Sequence, residues 1–243
     1  MANAVITMKT KIISHRGLTT ISCMENSIAA INNAADLKID MVEVDVRRTR
    51  DSQIICFHDP DIDGMLIRDL DYSDIIKLNS QIPTLEQILW SAKDKIGVEI
   101  EIKEQDYEYE VISIVLDYFA YDDFVMKSFN PEVVKKIKVL NSNITTGLLL
   151  GSAYTLEQLF LIINESLTCS LFKETKADFI SPFYKIIEAG WCYKFSKDQV
   201  PIQAWTVNDE DSIRNLINQQ VHSIVTDIPE VAIGIREIVL NES

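Results

Sequence analysis

Two of the chain's three histidines fall where a short aliphatic run gives way to polar residues, in Ser14-His15-Arg16-Gly17 and Phe57-His58-Asp59-Pro60. Imidazole titrates near neutral pH, so a pair facing each other across a substrate can accept and donate protons in one turnover. Two charged alternations accompany them, Val42-Glu43-Val44-Asp45-Val46 and Val98-Glu99-Ile100-Glu101-Ile102-Lys103. Residues two apart on a strand share a face, so each segment has one aliphatic and one charged side. If the aliphatic sides pack on helices, four carboxylates and one ammonium point inward together. Burying that many anions without compensation costs several kcal/mol each. A divalent cation removes the conflict, and an all-oxygen donor set suits Mg2+ or Ca2+ better than zinc. The competing reading is an exposed edge strand whose charged side is wet. His222, just before the last predicted strand, falls at the opposite end from the other two and reads as structural.

The elements that must hold these groups alternate along the whole chain. Strands are predicted over 11–14, 41–46, 97–103, 124–128, 145–149, 178–181, 201–206 and 223–226. Helical stretches follow at about 25–37, 84–94, 107–121, 130–140, 155–165, 184–194, 209–219 and 229–240. An extra strand over 53–57 pairs with the second through the Arg50-Asp51-Ser52 turn. Asn130-Pro131-Glu132 and Asp227-Ile228-Pro229-Glu230 place proline in a first helical turn. Eight strand–helix units in one domain spanning 1–243 favour a (β/α)8 TIM barrel over a doubly wound sheet, which would need a glycine-rich first turn where only Gly17 stands. In such a barrel the chemistry sits at the C-terminal ends of the strands, where both histidines fall. Residues 60–83 are too long for a barrel loop and read as a short insertion over the active face, its run of aspartates (Asp59 to Asp74) as a solvated acidic loop and not a calcium loop.

Composition narrows the partners. With 23 basic against 37 acidic residues the net charge is −14, and the pI is near 4.6. Nucleic acid or an anionic membrane surface would repel such a protein. With 47% hydrophobic residues the chain can fill one full-sized core. Cys23, Cys56, Cys169 and Cys192 form no CxxC pair, which points to a reducing setting and not a disulfide or zinc scaffold. Met1–Lys9 has no basic-then-apolar leader, and the longest apolar run, Gly147–Ile163, is broken by Glu157 and Gln158. The expectation is a cytoplasmic protein that acts on a small molecule without stable membrane insertion, with homo-oligomerisation left open.

In order, the motifs are His15-Arg16-Gly17, Glu25-Asn26-Ser27, Glu43-x-Asp45, His58-Asp59-Pro60, Ile82-Pro83-Thr84-Leu85-Glu86, Glu101-x-Lys103, Ser128-Phe129-Asn130-Pro131, Ala204-Trp205-Thr206-Val207-Asn208 and Val225-Thr226-Asp227-x-Pro229. Each alone is weak, but the ordered set, from about residue 12 to 233, resembles the glycerophosphodiester phosphodiesterase family. The resemblance implies a (β/α)8 barrel with a small insertion, and metal-dependent hydrolysis of a glycerophosphodiester to glycerol 3-phosphate and an alcohol. It makes Glu43, Asp45 and Glu101 the metal ligands and His15 and His58 the acid–base pair. Arg16 and Lys103 would neutralise phosphate oxygens, with Trp205 packing on the glycerol moiety. One histidine would assist the oxygen nucleophile and the other would protonate the departing alcohol.

Softer expectations attach to Glu25 (a metal-bound water or Arg16, against a helix-start charge), and to Ser128 and Asp227, each weighed against local capping. Met24 stands where the family usually has proline, and Glu99 adds a carboxylate where a smaller polar residue is common, which would alter metal preference. Two rivals remain. A phospholipase-D-like or cyclising phosphotransferase acting on lysophospholipids would need an apolar lip, and a non-catalytic barrel would merely bind phosphorylated ligands.

Overall fold

The computed structural model describes residues 9–151 and 155–242. Residues 1–8, on which the absence of a leader is read, and 152–154 within the Gly147–Ile163 run lie outside them. The strands are β1 (Lys11–Ser14), β2 (Met41–Arg48), β3 (Ile54–Cys56), β4 (Asp61–Ile62), β5 (Met65–Leu66), β6 (Gly97–Ile102), β7 (Phe124–Ser128), β8 (Thr146–Leu150), β9 (Phe179–Pro182), β10 (Gln203–Ala204) and β11 (Ser223–Thr226). The helices are α1 (Ile28–Asp36), α2 (Tyr72–Leu78), α3 (Leu85–Ala92), α4 (Glu108–Leu116), α5 (Pro131–Leu140), α6 (Leu156–Thr168), α7 (Ser170–Thr175), α8 (Tyr184–Glu188), α9 (Tyr193–Lys197), α10 (Glu210–Asn218) and α11 (Pro229–Glu242).

Parallel pairing runs in the order β10-β11-β1-β2-β6-β7-β8-β9. Parallel bridges Ile180–Ile202 and Phe183–Trp205 join the two ends, so eight parallel strands make a nearly closed barrel with helices outside. The period-2 pattern decides which face is which. Val42, Val44, Val46, Val98, Ile100 and Ile102 are buried in one cluster with Leu85 and Leu89 of α3 and Val111 and Val115 of α4. Their neighbours on the same strands, Glu43, Asp45, Glu99 and Glu101, therefore face the barrel axis. Their burial, 7% exposure at most, excludes the wet-edge reading.

Several boundaries differ from the sequence expectation for identifiable reasons. The first helix starts at Ile28 because Ser27 caps it, accepting from the Ala30 amide, which leaves Glu25 and Asn26 in the approach loop. Strand 201–206 shrinks to β10, since Pro201 has no N–H to give the ladder. Helix 184–194 splits at Gly190, whose φ of +77° ends α8. The sequence reading missed α7, whose first amides, Leu171 and Phe172, donate to the buried Glu165 carboxylate at 2.9 and 2.8 Å. The 60–83 stretch, expected as a solvated acidic loop, holds the β4–β5 hairpin, a 3-10 turn at Ile67–Asp69 and α2. Ile67, Ile75 and Ile82 there pack on Ile55 of β3 in a small core of their own, with Met24 against it. Its aspartates are spent locally: Asp71 takes both Nε and Nη2 of Arg50 at 2.8 Å, and Asp74 takes Lys77.

Candidate active site

The loop after β1 carries His15 and Arg16 and must double back to reach α1. Arg16 itself is left-handed (φ 55°), and Gly17 follows at φ +83°. A Cβ at Gly17 would lie 2.7 Å from Ala30 Cβ and 2.9 Å from its carbonyl carbon, so only glycine lets the loop lie on α1. The Arg16 carbonyl accepts the Asn26 amide at 2.8 Å, which ties the two ends of the loop together.

Strand register places the carboxylates. β2 and β6 pair Glu43 with Glu99 and Asp45 with Glu101, while β6 and β7 pair Glu101 with Lys127. Glu43, Asp45 and Glu101, all buried, offer oxygens that lie within 4.8 Å of one another. The arrangement fits a hard divalent ion: three oxygen donors converge, and each has a nearby group that orients it. Glu43 Oε2 accepts the Arg16 amide at 3.0 Å. Asp45 Oδ2 accepts Asn26 Nδ2 at 2.9 Å, while the Asp45 amide donates to Asn26 Oδ1 at 3.0 Å. Lys103 bridges Asp45 (2.7 Å) and Glu101. Arg16 Nε lies 3.2 Å from Asp45, and its Nη1 reaches both Glu25 oxygens at 3.0 and 3.1 Å, which settles Glu25 as an arginine partner.

Burial and charge pull these carboxyls apart. Burial, with Asp45 nearby, raises Glu43 above the usual range despite Lys127 and His15. Burial likewise raises Glu101 despite Lys103. For Asp45 burial pushes upward, but Lys103, Arg16 and the Asn26 hydrogen bond outweigh it and hold the carboxyl at about 2. Glu99, the added inward carboxylate, meets Lys127 Nζ at 3.2 Å and Gln203 Nε2 at 3.2 Å, one register step below Glu101. Lys127 is 2% exposed and also lies 3.8 Å from Glu43. A lysine on the next strand thus answers the extra anion, and Glu99 stands outside the group of three carboxylates whose oxygens converge.

Both histidines are oriented by aspartates. His15 Nδ1 lies 2.6 Å from Asp227, which also accepts from Asn208 Nδ2. A carboxylate only accepts, so Nδ1 carries the proton and Nε2 is left for chemistry. Burial lowers the His15 pKa, but the Asp227 hydrogen bond and the Glu43 charge reverse that, and the net direction is upward. His58 Nδ1 meets Asp59 at 2.8 Å, and the preceding Phe57 amide donates to the Asp45 carbonyl at 3.0 Å. Trp205 is partly buried and packs against the cluster of Ile13, Met41 and Val225. Its indole donates to the Ser181 carbonyl at 2.7 Å and its ring meets Phe129 edge-on at 5.3 Å. Ser128 turns out to be local: it donates to the Ile102 carbonyl at 2.7 Å and accepts the Asn130 amide. His222 stacks on Phe179 and pairs with Ser223. Sequence reasoning missed Asn26 and Lys127. Asn26 could have been found inside Glu25-Asn26-Ser27; Lys127 has only its inward parity on a strand.

Residues 15–231 match the family described as the glycerophosphoryl diester phosphodiesterase family. A glycerophosphodiester phosphodiesterase from Caldanaerobacter subterraneus is 28% identical over 94% of this chain and 98% of its own length. One from Bacillus altitudinis is 25% identical over 94% and 98%. Among solved structures, a glycerophosphodiester phosphodiesterase from Parabacteroides distasonis superposes with a TM-score of 0.81 at 24% identity, covering 96% of this chain and 99% of that one. A phosphodiesterase from Oleispira antarctica, solved with the product sn-glycerol-3-phosphate, gives 0.77 at 19% identity over 93% and 96%.

Proposed function

Because the chain belongs to the glycerophosphoryl diester phosphodiesterase family, we propose that it hydrolyses glycerophosphodiesters to glycerol 3-phosphate and an alcohol, with a divalent cation, Mg2+ or Ca2+, held by Glu43, Asp45 and Glu101. The observation that carries the reading is the convergence of those three oxygens, from adjacent strands, beside Arg16 and Lys103. The bound cation would supply Lewis-acid stabilisation of charge developing on the phosphoryl oxygens. Arg16 and Lys103 seat the anionic diester and spread the same charge over two more groups. Trp205 offers an apolar ring to the glycerol carbons. Of His15 and His58, one takes the proton of the attacking oxygen at Nε2 and the other delivers one to the alcohol as its P–O bond breaks. Asp227 and Asp59 keep each ring in the tautomer that presents Nε2.

The cytoplasmic setting and small-molecule substrate belong to the same proposal. Its supports are four free, buried cysteines and the absence, among the described residues, of a helix long and apolar enough to cross a membrane. The test is release of glycerol 3-phosphate from glycerophosphocholine with each cation. His15→Ala and His58→Ala should each lower kcat by at least about 10²-fold, and chelation should abolish turnover reversibly. Full activity in either variant, or indifference to chelator, rejects the corresponding assignment.

A further inference from the structure

Arg47 is the fourth inward residue of β2, after Met41, Glu43 and Asp45, and it is 8% exposed although the strand has by then left the barrel wall to pair with β3. None of the chemistry above uses it. Its Nε and Nη2 both donate to the His58 carbonyl, at 2.9 and 2.6 Å, and its Nη1 is paired with Glu104, the residue after Lys103. Glu104 is itself fixed. Its amide donates to the Tyr107 hydroxyl, which lies 2.8 Å from both the Glu104 carboxylate and the Val46 carbonyl. One guanidinium therefore joins the end of β2, the turn bearing His58 and the segment bearing Lys103.

We propose that Arg47 is a positioning residue that sets the place of His58 relative to Lys103 by clamping the His58 main chain. This rests on the acid–base reading of His58 given above. Among the described residues the His58 ring hydrogen-bonds to Asp59, and the two side chains are 36% and 67% exposed. The ring's location is then set by its backbone, and the backbone is held by Arg47. Only a planar fork of N–H groups meets a carbonyl with two donors and a carboxylate with a third; an ammonium is a point charge and cannot reproduce both. Arg47 does not touch the substrate. It acts by keeping a proton-transfer group within the fraction of an ångström that such chemistry tolerates.

The experiment compares Arg47→Lys, Arg47→Met and Glu104→Gln with the intact enzyme, alone and with His58→Ala, on glycerophosphocholine with saturating metal. Arg47→Lys should lose about 10- to 100-fold in kcat, with KM and the half-saturating metal concentration little changed. In the His58→Ala background the same substitution should cost nothing further, because the group it positions is gone. Glu104→Gln, at a more exposed position, should give a smaller loss of the same kind and serves if Arg47→Met fails to fold. Wild-type kcat in Arg47→Lys, or an equal loss with and without His58, overturns the proposal. If His58→Ala alone is fully active, it is the acid–base assignment that fails, and the positioning role falls with it. A slow His58→Ala beside a fast Arg47→Lys rejects the arginine alone.

Discussion

The two halves of the barrel interior are built to opposite rules. Along β2, β6 and β7 six of the inward positions, Glu43, Asp45, Arg47, Glu99, Glu101 and Lys127, are charged and buried, while Met41 and Val125 on the same strands pack with Ile13 and Val225. Further round the barrel, β8 and β9 put Gly147, Leu149 and Phe179 inward, with Ser181 hydrogen-bonded to Gln203 of β10. A Cβ on Gly147 would fall 2.3 Å from the Phe179 ring, so one strand gives up its side chain to let the other fill the space. The apolar half gains stability from packing. The charged half gives stability up, since like charges held out of water oppose folding unless a cation answers them. Where a barrel accepts that cost is where its chemistry is to be sought.

The contrast can be broken from either side. Glu43→Gln keeps an acceptor for the Arg16 amide but removes a donor charge. Activity should fall by about 10³-fold, while the Tm in chelator holds or rises; a Tm drop with activity retained would reverse the assignment. Phe179→Ala should do the opposite. It should cost about 3 kcal/mol by denaturant unfolding through the cavity left beneath Gly147, and kcat should stay within about twofold because the ring lies at the N-terminal end of its strand. A large kcat loss there would mean the two halves are coupled. The smallest effect is in pH. Glu43 and Glu101 are raised from 4.5, so the stability they contribute is present below that value and is lost as pH rises through their higher native values. Asp45, lowered from 3.8 to about 2, contributes above 3.8 and loses that contribution only as pH falls toward 2. Metal-free wild type should therefore lose Tm more steeply than metal-free Glu43→Gln as the pH rises above 4.5. Equal slopes would mean that Glu43 is buried at no cost.

Much of this was legible before any coordinates. The Val-Glu-Val-Asp-Val alternation states which side chains share a face, because strand parity is a property of neighbouring residues. The eight strand–helix units state the barrel for a similar reason. The insertion was read as an acidic loop because its elements are two to seven residues long, too short to set up a period against the background of five aspartates. The partner of Glu99 was not legible, because parity says that it points inward but not what stands opposite.

What the sequence determined by itself is local: the faces of β2 and β6, the caps, the glycine that the His15-Arg16-Gly17 turn requires, and the ordered residue types that mark the family. What only the tertiary structure decided is which inward groups meet. His15 finds Asp227 212 positions away, and Lys127 finds Glu99 through a register no single strand encodes. Such meetings depend on closing a ring whose first strand lies against its last, and the partner of a buried charge is set by that closure and not by its neighbours in the chain.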